Sequence, residues 1–332
     1  MLGVVVVLFL LVLGFWAGQV YPTGQIATEI NFQRRTLDKY SIPALKENGV
    51  NPGVFALKDE VEEENYSTGL FEFEFEPALD GKTKTTTGEY RLPKTEEKAA
   101  LVIMFRGYVD QSIYETGVGT KNASIFLAEN GYITLSPDFL GYGGSDTQAS
   151  DIFEARFQTY TLTLSLINAV YDRNLPAVLA EKWDGKNVFI WAHSNGGQIA
   201  LTVLEATSHQ IPTALWAPVS KPFPYSVLYY TDESDDEGRF IRRNLAAFED
   251  RYNVSRYSLT EYLASINSPI LIQQGTADDA IPVDWSTSLL NRLQALDKNA
   301  ALEIYPNADH NLRPLWDTAI EDTLQFYKDQ IN

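Results

Sequence analysis

Residues 186–201, KNVFIWAHSNGGQIAL, change character twice within a few positions. Residues 188–191 (VFIW) form a short apolar run of β-branched and aromatic side chains, the composition of a strand buried on both faces. Small residues then flank a single serine, Ala192-His193-Ser194-Asn195-Gly196-Gly197, and residues 198–207 take up helical spacing. A serine on so abrupt a strand-to-helix turn sits in strained backbone, so the positions two before and two after it must be small. Ala192 and Gly196 meet that demand, and Gly197 lets the new helix lie close to the strand. The Asn195 backbone N–H, at the helix start, then faces the place where negative charge on a bound group would develop. Taken alone, the same turn is also compatible with a serine that only caps its helix.

The rest of the chain repeats this strand–helix rhythm. Residues 70–76 (LFEFEFE) alternate strictly between apolar and acidic, as in a half-buried antiparallel or edge strand, and after Asp80-Gly81 residues 84–92 read as its partner. Residues 99–105 (AALVIMF) and 132–135 (YITL) are buried strands that end at Arg106-Gly107-Tyr108 and Ser136-Pro137-Asp138. A long helix covers about 151–173, and residues 214–218 close a further strand. Residues 270–273 and 301–305 add two more strands, separated by a helix over 283–296 and followed by a closing helix over 313–331. Such alternation implies βαβ units, with ligands at the carboxyl ends of the strands. We therefore expect an α/β fold over 67–332, a mostly parallel eight-stranded sheet flanked by helices. Residues 221–266, aromatic and charged, break the rhythm and read as a small helical cap insertion.

Residues 2–18 carry no charged side chain. The run lies between the length of a signal-peptide core and the roughly twenty residues that span a bilayer. The expectation for residues 1–19 is an anchor that holds the rest outside the cytoplasmic membrane, with a cleaved signal and a secreted protein as the alternative. Arg34 and Arg35 pull mildly toward the opposite orientation. Residues 20–66, polar and with prolines at 22, 43 and 52, read as a linker or N-terminal extension with one helical turn near 42–47. A chain of 332 residues can bury a core that needs no covalent staples. The absence of cysteine excludes disulfides and thiolate chemistry, and three histidines leave little for a metal site. The formal charge of −18 excludes nucleic acid as a partner and disfavours anionic substrates approaching from afar.

If Ser194 is a nucleophile, it needs a base and an orienting acid. Two histidines lie downstream. His209 falls just past the helix that Ser194 begins, whereas His310 follows the last strand in Asn307-Ala308-Asp309-His310-Asn311, at the end of the sheet where ligands bind. His310 is the better base on that topology, and His193 reads as a packed neighbour. The strand 270–273 ends in Gly275-Thr276-Ala277-Asp278-Asp279, which offers two adjacent carboxylates, and composition alone does not choose between them.

Together, Ser194-Asn195-Gly196-Gly197, Gly275-x-x-Asp278-x-x-Ile281-Pro282 and the late His310 resemble the three catalytic signatures of the α/β-hydrolase superfamily, whose chain order is Ser, Asp, His. The resemblance runs over about 70–332. Pro137-Asp138-Phe139-Leu140-Gly141-Tyr142-Gly143-Gly144-Ser145 is similar to the P-D-x-x-G-x-G-x-S loop of prolyl-oligopeptidase-like (S9-type) catalytic domains and related esterases. The family pattern implies Asp278 as the acid, with Asp279 its neighbour. It also implies an oxyanion hole formed by the backbone N–H groups of Asn195 and Tyr108, although Arg106-Gly107 here replaces the usual His-Gly. The implied reaction is acyl transfer from a small ester or short peptide, with no cofactor and no metal. A prolyl-oligopeptidase-like peptidase is the favoured reading and a carboxylesterase the alternative. A non-catalytic membrane-tethered binding protein comes third. The stretch ahead of residue 70 is too short for the β-propeller of large family members. The acidic run 232–237 points to cationic or free-amino substrates.

Overall fold

Nine strands hydrogen-bond into one sheet in the order β1-β2-β3-β5-β4-β6-β7-β8-β9 in a computed structural model that describes residues 35–231 and 236–331. The strands are β1 (Val54–Glu62), β2 (Tyr66–Phe75), β3 (Lys84–Pro93), β4 (Ala99–Phe105), β5 (Ile133–Pro137), β6 (Trp183–His193), β7 (Thr213–Trp216), β8 (Ile270–Gly275) and β9 (Ala300–Tyr305). β1, β2, β3 and β5 pair antiparallel, and every pairing from β5 through β4 and on to β9 is parallel. The sheet is therefore mixed, and it has one strand more than the eight expected.

The extra strand comes from the stretch read as a linker. A 3-10 turn at Asp38–Tyr40, helix α1 (Ile42–Asn48) and β1 all lie within it, and the compact unit begins at Leu37. Tyr40, Ile42 and Leu45 are buried. Edge strand β1 buries only Phe55, whose ring packs against Phe71 and Phe73 with centroids 5.5 and 4.6 Å apart. One buried side chain in nine residues leaves no alternation to read. β2 shows the opposite case: Phe71, Phe73 and Phe75 all point inward, as their spacing requires. The expected anchor at residues 1–19 and the first part of the expected linker lie outside the described residues.

Helices cover both faces. Leu101, Ile103 and Phe105 of β4 enter a core shared with α3 (Ile152–Tyr171) and α5 (Asn195–Ala206). Val102 and Met104 point the other way, toward α2 (Lys121–Glu129) and α9 (Trp316–Gln330). A short helix α4 (Ala177–Lys182) leads into β6, and α8 (Val283–Ala295) crosses between β8 and β9. Between β7 and β8 the chain forms α6 (Tyr225–Leu228), α7 (Arg239–Glu249) and three 3-10 turns ending at Ser265. The aromatics of this insertion pack on α3. Phe223 and Phe248 lie 5.6 and 5.1 Å from Phe153, and Tyr257 stacks 4.9 Å from Phe157. The acidic run noted above falls largely on residues 232–235, outside the described residues.

The ends of β8 and β9 are drawn together by a close backbone crossing. The Ala277 N–H donates to the Ala308 carbonyl at 2.9 Å, and a Cβ on Gly275 would stand 2.2 Å from that same oxygen. Gly275→Ala should therefore destabilise the fold by about 1–3 kcal/mol through overpacking. It should also displace the loop that carries His310. Urea unfolding checks this, and an unchanged midpoint would show that the crossing tolerates a methyl group.

Candidate active site

Ser194 caps α5 with φ 55° and ψ −118°, a positive φ that a non-glycine residue adopts only under constraint. Its N–H donates to the Trp216 carbonyl at 2.9 Å, and its own carbonyl accepts from Gly197 at 2.9 Å and Val219 at 3.0 Å. The turn is thus fastened to the end of β7 and to its own helix. Gly196 is needed because a Cβ there would lie 2.2 Å from the Phe105 carbonyl oxygen. Gly107 runs directly beside the serine: a Cβ on it would stand 3.0 Å from Ser194 Cβ and 3.5 Å from Oγ. The hydroxyl itself is half-buried and makes no hydrogen bond within the described residues.

His310 and Asp278 meet directly. His310 Nδ1 lies 2.9 Å from Oδ2 and 3.0 Å from Oδ1 of Asp278. The Asp278 carboxylate is fully buried and also accepts from the Ala280 N–H (2.9 Å), the Ile281 N–H (2.8 Å) and Gln274 Nε2 (2.9 Å). Burial alone would raise its pKa. The hydrogen bonds from His310, Ile281 and Gln274, together with the charge of His310, outweigh that and hold it below its ordinary value. Asp279, by contrast, is exposed. The carboxylate facing the imidazole is that of Asp278. With Nδ1 donating to it, Nε2 of His310 is left with its lone pair to accept a proton.

His193, read from sequence as a packed neighbour, ties the two halves of the site together. Its Nε2 donates to the His310 carbonyl at 2.9 Å, and the two rings lie 4.7 Å apart. The residue next to the serine therefore holds the loop that carries the other histidine. Nothing in its sequence position signals this tie, because the partner is a backbone atom far along the chain. His209 lies elsewhere. It stacks on Tyr171 at 3.7 Å, beyond the C-terminus of α5, about 18 Å along the helix from Ser194 at 1.5 Å per residue.

The Arg-Gly that replaces the expected His-Gly acts as a backbone clamp. Arg106 is buried and donates to the Gly107 carbonyl at 3.0 Å and the Asp138 carbonyl at 2.9 Å. Its guanidinium lies between the rings of Tyr114 and Tyr142, at 4.4 and 4.0 Å. The Asp138 carboxylate in turn accepts from Tyr114 (2.6 Å), Thr116 (2.7 Å) and Thr87 (2.5 Å), which anchors the loop after β5. Asn195 and Tyr108 both line a cavity of about 230 Å³, walled by the loops after β4 and β5 and by α3. The Tyr108 side chain is exposed, and the residue before it, Gly107, runs beside Ser194.

Burial pushes the pKa of His193 down from 6.5 to about 4, and repulsion from His310 adds to it. The unfolded chain therefore takes up this proton first. Stability is complete above about 6.5 and is lost as pH falls toward 4, by on the order of 3 kcal/mol. His209, also lowered by burial, contributes in the same sense. Urea unfolding between pH 4.5 and 7.5 should show this slope, and His193→Asn should flatten it. An identical slope in the variant would mean that His193 is not held neutral.

The family model described as the prolyl oligopeptidase family (Peptidase_S9) matches residues 120–332, a stretch that holds Ser194, Asp278 and His310. Among curated relatives, 186 residues are 28% identical to a probable dipeptidyl-aminopeptidase B of Ajellomyces dermatitidis, covering 55% of this chain and 19% of that one. A 65-residue stretch is 35% identical to the uncharacterized peptidase YuxL of Bacillus subtilis, covering 20% of this chain and 10% of that one. The match thus spans a fifth or less of those relatives' lengths. The structure is similar to acetyl xylan esterase 1 from Thermoanaerobacterium sp., with TM-score 0.62, 18% identity, and 88% of this chain and 94% of that one covered. It is also similar to a puromycin-hydrolyzing peptidase of Mycobacterium tuberculosis, with TM-score 0.54, 12% identity, and 81% and 46% covered. At such identities these likenesses establish the fold, an open mixed sheet between helices of the α/β-hydrolase kind, which hosts esterase and peptidase alike. With the family model matching well over half of its length, the chain belongs to the prolyl oligopeptidase family.

Proposed function

We propose that the chain cleaves acyl bonds through an acyl-enzyme on Ser194, with His310 as general base and Asp278 as the group that orients it. The observation that carries this reading is the buried Asp278 carboxylate on His310 Nδ1, which leaves Nε2 basic on a loop tied by His193 to the serine's own turn. Ser194 Oγ attacks the carbonyl carbon as Nε2 takes its proton, and the C=O electrons move onto oxygen. The N–H groups of Asn195 and Tyr108 receive that oxyanion. The imidazolium then protonates the leaving group, and water activated by the same histidine releases the acid.

The peptide bond is the favoured target, supported by the family match over the stretch that holds all three residues. A cavity of only about 230 Å³ beside the oxyanion amides favours small acyl groups, and with them a carboxylesterase as the second reading. The unbroken apolar run at residues 2–18 supports an anchor or signal that places the catalytic unit outside the cytoplasmic membrane.

A fluorophosphonate probe should label the protein, and Ser194→Ala should abolish labelling. Asp278→Asn should lower kcat by about 10⁴-fold, since the imidazole would take the wrong tautomer, whereas Asp279→Asn should change it by less than about threefold. Labelling that survives in Ser194→Ala would identify a different nucleophile. Comparison of short-chain esters with aminoacyl arylamides separates the two targets.

A further inference from the structure

The cavity beside Asn195 is lined by no Asp or Glu, yet two arginines, Arg106 and Arg156, face it. The chain carries 44 acidic and 26 basic side chains, and none of the acidic ones lines this cavity. Arg91 has Glu89 at 2.7 Å, and Arg239 has Glu237 at 3.3 Å. Neither Arg106 nor Arg156 has an ion-pair partner among the described residues. The two differ in what surrounds them. Arg106 is occupied by two carbonyls and two tyrosine rings. Arg156, on the second turn of α3, donates only to Gln198 Oε1; its Nε, like that of Arg106, is buried with no acceptor. Gln198 stands four residues, one helical turn, beyond Ser194, and its Nε2 donates to the Tyr160 hydroxyl at 3.4 Å. A guanidinium has five donors, and this one is set in a fixed place with most of them unused.

We propose that this cavity is a specificity pocket for a carboxylate carried by the substrate, bound by Arg156 with Gln198 as its positioning residue. The substrate class is then esters or amides that carry an anionic group close to the scissile carbonyl. This deepens the serine-hydrolase reading and rests on it. It replaces the preference for cationic substrates drawn from the acidic run 232–237, because the described wall nearest the serine turn is cationic. The overall charge of −18 slows the approach of anions but is screened within about 10 Å at ordinary ionic strength. Inside the cavity the nearest guanidinium dominates.

The test compares isosteric pairs on the full chain: monomethyl glutarate against methyl 5-methylhexanoate for an anion on the acyl side, and 3-acetoxybenzoate against 3-isopropylphenyl acetate for one on the alcohol side. In at least one pair the anionic member should have the higher kcat/KM. Arg156→Gln should lower the anionic-to-neutral ratio by about 30-fold or more, with Arg156→Lys in between, and added salt should erode the preference. Glutarate should also slow fluorophosphonate labelling of the wild type more than that of Arg156→Gln. A preference for the neutral member in both pairs, or a ratio and glutarate protection unchanged by Arg156→Gln, would overturn the proposal. Failure of the wild type to react with fluorophosphonate would instead overturn the serine-hydrolase reading beneath it.

Discussion

A serine held at φ 55° and ψ −118° is the constraint to which the surrounding elements answer. Such backbone costs on the order of 1–3 kcal/mol and persists only where neighbours fix the chain on both sides. Here the fixing is done by close approaches. The Phe105 carbonyl lies where a side chain on Gly196 would be, and Gly107 leaves room beside the serine side chain. The Trp216 carbonyl accepts from the serine N–H. Three parallel strands, β4, β6 and β7, must therefore end at nearly the same height. Their in-register pairing, Phe105 with Ala192 and His193 with Trp216, achieves this. The rigidity comes from apolar burial on both faces of these strands, which is why strongly apolar runs stand directly beneath the polar site.

The same logic explains what the sequence disclosed. Strands buried on both faces must be continuously apolar, so β4, β6 and β8 are legible as runs, and a turn that admits only small residues advertises itself. β1 was not legible, because an edge strand that buries Phe55 alone anchors itself with one side chain and leaves no period. The choice between Asp278 and Asp279 was also beyond composition. It is made by the tight turn in which the Ala280 and Ile281 N–H groups converge on one carboxylate and leave its neighbour in solvent. His193 escaped because its partner is a carbonyl, and carbonyls have no signature in a sequence. Arg156 escaped for the opposite reason. An arginine on a helix reads as a solvated face, and only the folded cavity shows it facing a space that no carboxylate side chain lines.

Charge at the site is divided among three groups that the fold treats differently. Asp278 is buried but surrounded by donors, so its charge is spent locally and reaches outward only through His310. Arg106 is also buried, and its guanidinium is held by two carbonyls and two tyrosine rings. Its charge stiffens the backbone that carries the Tyr108 N–H, where the family's usual histidine would leave that loop with a smaller, titratable anchor. Both arrangements preorganise the site without presenting a free charge to a ligand. Arg156 departs from this pattern, with a guanidinium held by one amide and left otherwise unneutralised at the mouth of the same cavity. An uncompensated, partly buried cation disfavours folding unless something binds it. Under the proposed reading, the carboxylate that balances this guanidinium arrives with the substrate, in the cavity beside the Ser194 turn.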